Sequence, residues 1–439
     1  MRLLAWIEPF WVALVGVALL MPPRFLPASL QPYLASWQPY GVALLGLGWP
    51  VRLLAYRRLF RRTPLDWPLL LIIFWLPVAY WASADKGLSW GAIISLAVGL
   101  ALYFALIDWP PAQDHPELIA WALLALGAAL SATAPLLGDL TGKKLLPLAP
   151  LAPLLARLGD LTPGAANANR IAGAIVVLLP LPAALALYGG WSRRRWPRLL
   201  CALLALANLA VLALTQSRGG YMAGAAALAL LLILRWPRLI YALPLVALGI
   251  GFAVYRVGLA AITDLFSAET VMGGLDGRLE LWSRALYAIS DFPFTGIGIG
   301  TFERVIPLLY PYFLISPDNV ITHAHNLLLQ VAVDLGIPGL IAFLALYLNA
   351  CAIAAQALRR PDLPLARALA AGSLGSFLAL FVHGLVDAAI WGARTGPLPW
   401  VIVALAVQVG LQAIAPSPNE EDVFLEDAIY ALEWEGAGQ

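Results

Sequence analysis

Long apolar runs recur along almost the whole chain, and each is about as long as a membrane is thick. A helix needs roughly 20 apolar residues to cross the hydrocarbon core of a bilayer. Runs of this kind fill most of the sequence up to residue 414, which predicts an all-α polytopic membrane protein. The composition agrees, because only 12% of the residues are charged, whereas soluble domains average about 25%.

Twelve of these runs are predicted to be transmembrane helices, and together they form a transmembrane domain over residues 1–414. Glu8 interrupts the first run and no clear cleavage site follows, so we interpret that run as a retained span rather than a signal peptide. The predicted spans are 3–21, 38–56, 66–83, 88–107, 117–137, 169–189, 197–214, 219–235, 237–256, 336–358, 365–391 and 396–414.

Clusters of basic residues predict the orientation of these spans. With the N-terminus inside, the basic stretches 57–63, 192–198, 235–238 and 359–367 all lie in the cytoplasm, as the positive-inside rule requires. Both termini are then cytoplasmic. The last segment, 415–439, is rich in acidic residues and becomes a cytoplasmic tail.

Two long connections fall on the outer side. Residues 138–168 are predicted to contain a short interfacial helix. Residues 257–324 form a larger extracytoplasmic loop before the tenth span. Within it, the spacing of Leu281, Ala285 and Ile289 predicts an amphipathic helix over 277–293. A loop of this length in a compact protein is usually functional.

Charged and polar residues collect at the outer ends of the predicted spans, where each is a candidate for function because charge near a membrane is costly. Arginine binds phosphate oxygens through a planar fork, and fixed guanidinium groups stabilise a departing diphosphate. A neutral histidine can take a proton from an attacking hydroxyl. Together they predict group transfer from a lipid diphosphate. The candidates are Arg170, Arg218, Arg278, Arg284, His323, His325, His383 and Asp387.

Structural roles are open for several of these residues. Arg218 lies beside a Gly-Gly turn, and its structural role would be to extend its long side chain to the membrane interface. Arg284 would lie on the solvent-exposed side of the loop helix, and Arg170 would anchor the end of a helix. His383 and Asp387, one helical turn apart, fit a hydrogen-bonded pair between helices.

No metal or other cofactor is expected. His323 and His325 have a metal-ligand spacing, but at the start of a helix residues i and i+2 point to different sides. No Asp-x-Asp pair is present to hold a divalent ion. The glycine run 296–300 is not preceded by a strand and is interpreted as a tightly packed loop. A net charge of +2 argues against a nucleic-acid partner.

Four motifs occur in an order that resembles the bacterial O-antigen ligases. His325 and Asn326 are followed after nine residues by Gly336, and after two more by Gly339, which is similar to the histidine–glycine signature of that family. The other three motifs are "LTQSRGGY" with Arg218, "GRLELWSRALYAISDFPFTGIGIGTF" with Arg278, and "VHGLVDAAIW" with Asp387. The resemblance covers residues 165–412 and, more generally, the layout of twelve spans.

The resemblance implies an inverting, metal-independent glycosyltransferase in the bacterial plasma (inner) membrane. Its donor would be a glycan on undecaprenyl diphosphate, and its acceptor a lipid or glycan hydroxyl at the outer face. His325 would be the base, and Arg218 and Arg278 would hold the diphosphate, together with Arg284 and Arg170. His323, Asn326, His383 and Asp387 would support the site.

Other functions stay open at the level of sequence. The same family includes polymerases and protein glycan ligases, and bicarbonate-transporter-like members. A small-anion transporter should carry charges near the bilayer midplane, whereas the arginines here cluster at one surface. A glycan-binding membrane scaffold is the remaining alternative.

Overall fold

The computed structural model describes residues 2–22, 27, 29, 31–140, 157, 166–190, 195–258, 274–316, 318–388, 390–393 and 395–415. Most of the connection 138–168, with its predicted interfacial helix, lies outside these residues. The predicted acidic tail lies outside them from residue 416 onward.

Helices make up nearly all of the described chain. Up to residue 140 they are α1 (Arg2–Leu20), α2 (Leu34–Gly46), α3 (Gly48–Tyr56), α4 (Asp66–Ala82), α5 (Lys86–Asp108), α6 (Pro110–Asp114) and α7 (Glu117–Leu137). From residue 166 to 258 they are α8 (Ala168–Leu178), α9 (Pro180–Tyr188), α10 (Trp196–Thr215), α11 (Arg218–Arg235) and α12 (Leu243–Val257). Later come α13 (Leu275–Asp291), α14 (Phe302–Leu309), α15 (Leu327–Leu358), α16 (Pro364–Gly384) and α17 (Leu398–Ile414).

The remaining regular structure is short. Single 3-10 turns occupy Gln31–Tyr33 and Pro237–Ala242, the second leading directly into α12. A two-residue parallel pairing joins Gly138–Asp139 to Ala166–Asn167, so it ties the two ends of the connection between α7 and α8.

The protein is an all-α polytopic membrane protein. Within the described ranges, nine helical segments are long and apolar enough to cross a membrane. Two further apolar helices, α4 and α17, are slightly shorter. These elements are consistent with twelve predicted spans, and the count itself stays a prediction.

The second predicted span is divided into α2 and α3 at Leu47. Pro50 explains the break, because proline has no backbone N–H to donate to the carbonyl of Gly46. The polar group that follows is unusual for a membrane helix. Arg52, only 1% exposed, pairs with Glu8 of α1 at 2.9 Å and with Asp108 of α5 at 3.4 Å. Glu8 is therefore part of a buried ion-pair cluster that joins three helices.

The tenth predicted span begins earlier than expected. Helix α15 starts at Leu327, nine residues before the predicted start at 336, and it is kinked at Gly336. Gly336 has a φ of 68°, in the left-handed region, and its Cα faces the backbone carbonyls of Pro293 and Phe294. The N–H of Ile337 donates to the Pro293 carbonyl at 2.7 Å. The kink therefore seats the glycine loop 296–300 against α15.

Replacing Gly336 by alanine should lower the free energy of unfolding by about 2 kcal/mol or more. A Cβ at this φ is strained by ~1–3 kcal/mol, and here it would also meet the Phe294 carbonyl, which cannot rotate away. Thermal unfolding in detergent would measure the loss. Gly249→Ala is the matched control, because a Cβ there meets nothing within 4 Å. Equal stability of the two variants would contradict the packing argument.

The eleventh predicted span is shorter than expected at its C-terminal end. Helix α16 ends at Gly384, whereas the prediction extended the span to 391. Residues 385 and 386 form a turn that continues from the helix end, and the N–H of Asp387 still donates to the His383 carbonyl at 3.0 Å. Asp387 thus lies just past the end of α16 and remains one turn from His383, as the spacing predicted.

Candidate functional site

The two neighbouring histidines lie on the short connection that leads into α15. The sequence argument placed them at the start of a helix, and this was wrong, because the helix begins only after its N-cap, Asn326. His325 has a φ of 49°, which is uncommon for a residue with a side chain and often marks a functional position. This backbone turn brings the two imidazole rings to 4.3 Å between centroids. The rings therefore contact each other edge to face instead of diverging.

Asp387 completes a group of three with the histidines. Its Oδ1 atom lies 3.7 Å from Nε2 of His323 and 3.6 Å from Nδ1 of His325. The carboxylate is about 6% exposed. Burial alone would raise the pKa of Asp387, but the nearby imidazoles of His325, His323 and His383 outweigh it and hold that pKa well below its usual range. Asp387 is therefore an ionised carboxylate facing both rings.

The backbone fixes the tautomer of His323. Its Nδ1 accepts a hydrogen bond of 3.2 Å from the N–H of His325, so in the neutral ring the proton is on Nε2. That proton points to Asp387. Burial, the charge of His325 and the charge of Arg170 lower the pKa of His323 to about 4, against the opposing effect of Asp387. His323 is therefore neutral near pH 7 and donates towards the carboxylate.

His325 is oriented differently by the same carboxylate. Its Nδ1 is buried and faces Asp387, and at 3.6 Å neither Nδ1 nor Oδ1 has a closer hydrogen-bond partner among the described residues. A carboxylate favours the proton on the nitrogen that it faces. The lone pair of the neutral ring is then on Nε2. Such long contacts are common before a substrate binds, and they shorten in the complex.

The three side chains also satisfy the simplest geometric requirement for a metal site. Their ligand atoms all lie within 4.8 Å of one another. However, a metal-binding histidine normally donates from its second nitrogen, and the second nitrogen of His323 accepts instead. The nitrogen of His323 that faces Asp387 carries a proton in this arrangement, so it has no lone pair to offer. The geometry brings the groups together, but the hydrogen bonding does not suit a metal ion.

Two arginines lie near this group. Arg218 opens α11 after the N-cap Ser217, and the preceding Gln216 has a φ of 50°, which makes the sharp reversal between α10 and α11. Arg278 lies on α13. Burial lowers the pKa of Arg278, and the nearby charges of Asp387 and Arg218 act on it in opposite directions. The structure therefore brings Arg218 and Arg278 together beside Asp387.

Arg278 carries an unsatisfied donor. Its Nε is buried and has no hydrogen-bond partner among the described residues, and no carboxylate in those residues pairs with it. A buried N–H without a hydrogen-bond partner is costly, and an acceptor on an anionic ligand would relieve that cost. The arrangement suits an anionic group of a ligand.

Asn326 and His383 support this group from the helix ends. The Asn326 Oδ1 caps α15 by accepting from the N–H of Leu329 at 3.1 Å, and its Nδ2 donates to the Leu385 carbonyl at 3.2 Å. It thus ties the histidine connection to the segment that carries Asp387. His383 is buried against Gly173 of α8 and Gly219 of α11, which leave room for its ring.

Arg284 is engaged elsewhere. It pairs with the buried Glu280 at 3.3 Å, and its Nε donates to the Pro311 carbonyl at 3.0 Å. Its guanidinium also stacks 5.1 Å from the Phe313 ring. Glu280 accepts from the backbone N–H groups of Phe313, Leu314 and Ile315. These contacts hold the loop before α15 together, so the predicted diphosphate contact of Arg284 is not supported by its position.

Arg284→Ala should therefore lower stability more than activity. Removing the guanidinium leaves the Glu280 carboxylate without its cation, which costs about 2 kcal/mol for a buried group. Thermal unfolding should show the loss, while KM for the donor measured on the folded fraction should not change. A raised donor KM at unchanged stability would instead return Arg284 to the diphosphate site.

Arg170 lies in the first turn of α8, but it is not the helix cap, since Asn167 fills that position. Its side chain lines a cavity of about 250 Å³ that His323 also lines, and Arg218 and Arg278 do not. Arg170 therefore belongs to a different part of the site from the other two arginines.

A network around Asp334 was missed by the sequence argument. The buried carboxylate accepts from Gln330 at 2.9 Å, from the N–H of Gly300 at 3.2 Å and from the Trp391 indole at 2.8 Å. Gln330 in turn accepts from the N–H of Ala324, between the two histidines, at 2.7 Å. Asp334 lies within an apolar run, and an acid in that position is a signal for a buried functional or structural group. The sequence argument did not use this signal, because it began the tenth span after Asp334.

The fold and the site define a class: a multi-pass membrane protein with a histidine–carboxylate group and paired arginines where the helix ends meet. Residues 202–344 match the family model described as O-antigen ligase. This part of the chain is thus similar to the O-antigen ligase family, whose general activity is glycan transfer. The matched segment contains Arg218, Arg278 and both neighbouring histidines. The comparison with curated proteins gives no match.

Proposed function

We propose that the protein transfers a glycan from undecaprenyl diphosphate to an acceptor hydroxyl at the outer face of the bacterial plasma membrane. The observation that supports this most is the arrangement around Asp387. A histidine with an available Nε2 contacts this carboxylate, and Arg278, with an unsatisfied buried donor, lies near it. Base and anion site are thus adjacent, as a displacement of diphosphate by a hydroxyl requires.

The reaction is a single displacement. Nε2 of His325 takes the proton of the acceptor hydroxyl, and the oxygen forms a bond to the anomeric carbon. The bond from that carbon to the phosphate oxygen breaks, and the diphosphate leaves with the electron pair. Arg218 and Arg278 stabilise the charge that develops on the leaving group. Attack from the face opposite to the diphosphate inverts the anomeric configuration.

Asp387 stabilises the imidazolium that forms on His325. The carboxylate is ionised because the surrounding imidazoles hold its pKa low, so it can balance the new positive charge. His323 is neutral, and its Nε2–H faces the same carboxylate at 3.7 Å. Metal independence is part of the proposal, and the tautomer of His323 supports it.

The site faces the outside in the predicted topology, with both termini in the cytoplasm. Arg58 and Arg61, from the basic stretch 57–63, contact Asp108 and Gln408 near the opposite ends of α5 and α17. The basic cluster and the proposed active site are therefore at opposite ends of the helices, as the positive-inside rule predicts for an extracytoplasmic site.

The test uses purified protein in lipid nanodiscs with an undecaprenyl-diphosphate oligosaccharide, candidate acceptors and a chelator. Mass measurement of the products should show a glycan moved to the acceptor and release of undecaprenyl diphosphate. One added glycan unit per acceptor supports a ligase, and a ladder of repeats supports a polymerase. Loss of activity in chelator, restored by a divalent metal, would contradict metal independence. Absence of transfer with every acceptor would move the interpretation to a small-anion transporter.

A further inference from the structure

Two buried polar side chains of α15 take no part in the displacement described above. Asp334 and Gln330 are 1% and 2% exposed and lie one helical turn apart, and the Gln330 amide donates to the Asp334 carboxyl group at 2.9 Å. A polar group inside a membrane helix is costly, and such groups usually serve a function. Their remaining hydrogen bonds lead to the two segments that carry the histidines and Asp387.

Gln330 holds the connection that carries the two neighbouring histidines. Its Oε1 accepts from the N–H of Ala324, six residues earlier in the chain, at 2.7 Å. Ala324 is fully buried, so its N–H depends on a partner from within the protein. Because Ala324 lies between His323 and His325, a bond from the helix to this one residue restrains the backbone on which both rings are mounted.

Asp334 holds the segment that follows Asp387. Its Oδ2 accepts from the Trp391 indole at 2.8 Å. The N–H of Trp391 in turn donates to the carbonyl of Ala388 at 3.0 Å, which closes a turn directly after Asp387. The position of the Trp391 ring is therefore coupled to the backbone next to the Asp387 carboxylate.

A carboxyl group suits position 334 better than an amide would. Three donors converge on it: the Gly300 N–H and the Gln330 amide reach Oδ1, and the Trp391 indole reaches Oδ2. Two carboxylate oxygens accept all three bonds, whereas an asparagine would turn its own NH₂ donors towards one of these groups. The side chain thus joins the glycine loop, α15 and the segment before α17 at one point.

We propose that Asp334 and Gln330 are positioning residues that fix His325 against Asp387. Nδ1 of His325 lies 3.6 Å from Oδ1 of Asp387, and the two residues belong to different segments, one before α15 and one after α16. The pair on α15 bonds to both segments, so it sets their separation without touching the reacting atoms. The inference rests on the proposed function, in which this contact stabilises the imidazolium.

Gln330→Leu removes both bonds of the amide at nearly constant volume. The rate constant kcat should fall about 10–10²-fold, as for a misplaced catalytic group, while KM for the donor stays unchanged because the arginines do not move. Gln330→Glu should recover most of the loss. It keeps an oxygen for the Ala324 N–H, and two neighbouring carboxyl groups can share a proton, which preserves the bond to Asp334.

Gln408→Leu is the matched control. Gln408 is 1% exposed in α17, near the opposite end of the helices, and its amide donates to the Leu106 carbonyl at 2.9 Å. The substitution makes the same chemical change at an equally buried glutamine. Both leucine variants should lose thermal stability, but only Gln330→Leu should lose kcat when the rate is measured on the folded fraction.

Imidazole NMR gives a second readout that needs no substrate. The chain has four histidines, so ¹⁵N-labelled histidine gives few signals in nanodiscs. In the wild type His323 should show the tautomer with its proton on Nε2. Gln330→Leu should shift the signals of His323 and His325, and Gln408→Leu should leave them in place. Trp391→Phe, which keeps an aromatic ring but removes the donor to Asp334, should shift them in the folded protein and lower kcat as well.

The outcomes separate this inference from the proposed function. Equal kcat in the two leucine variants, with unmoved imidazole signals in Gln330→Leu, overturns the positioning role while the proposed function stands. If Gln330→Leu does not fold, wild-type kcat and signals in Trp391→Phe overturn it instead. Shifted imidazole signals in Gln330→Leu, together with no transfer by the wild type, would support the coupling to the histidines and count against the proposed function.

Discussion

His325→Ala should lower the rate of glycan transfer by about 10²–10⁴-fold, the usual contribution of a general base. The affinity for the lipid-diphosphate donor should change little, since Arg218 and Arg278 remain. The loss should therefore fall on kcat rather than on KM for the donor. Single-turnover assays with saturating donor would measure it, and a separate binding assay with the donor lipid would confirm that the site is still formed.

His115→Ala is the matched control for this change. His115 is exposed, and its contact is with Glu117 at the start of α7, at the other end of the helices. Its replacement should leave transfer unaltered. A His325→Ala variant that retains wild-type kcat would exclude His325 as the base and direct attention to the remaining imidazoles of the site.

The same assignment predicts the direction of the pH dependence. A base must be unprotonated to act, so transfer should fall on acidification. His323 does not contribute to this fall near neutrality, because its pKa is about 4. The fall above that pH should therefore be lost in any variant that lacks the base but retains measurable activity.

The length and periodicity of the apolar runs were sufficient to predict the helical architecture. The positions of the site residues depend instead on backbone turns between the helices. Apolar runs of about 20 residues predict membrane helices because the bilayer leaves few alternatives. The same reasoning placed the start of the tenth span at 336, since Asp334 ended the apolar run. In the structure that acid is buried and satisfied by Gly300, Gln330 and Trp391, and the helix continues through it.

The sequence predicted the grouping of some site residues and missed that of others. Charge bias placed the arginines and histidines at one membrane face, and Arg218, Arg278, His325 and Asp387 do lie together. The spacing of Glu280 and Arg284, four residues apart on one helix, was a signal for an ion pair that the sequence argument did not use. The bond of Arg284 to the Pro311 carbonyl, 27 residues away, gave no such signal. The proximity of the two histidines was also hidden, since it depends on the positive φ of His325 and not on helical spacing.

Arg278→Lys should lower transfer about tenfold, and Arg278→Ala by ~10²-fold or more, as for the loss of a donor that stabilises developing charge. Lysine keeps the charge but not the planar fork that binds two phosphate oxygens at once. The buried Nε, which has no partner among the described residues, is the donor that lysine cannot replace. The rate should fall in both variants, and the affinity for the donor should fall with it. Kinetics over a range of donor concentrations would measure both effects.

Arg304→Lys separates this effect from a general loss of positive charge. Arg304 is an exposed arginine on α14, in the same loop before α15 as Arg278, so its replacement by lysine makes the same chemical change away from the Asp387 group. Its kinetics should match the wild type.

Because Arg278 has no ion-pair partner in the described chain, its replacement should not cost stability, and Arg278→Lys should unfold at or above the wild-type temperature. Full transfer activity in Arg278→Lys would show that the fork is not used and would remove the main support for a diphosphate at this position.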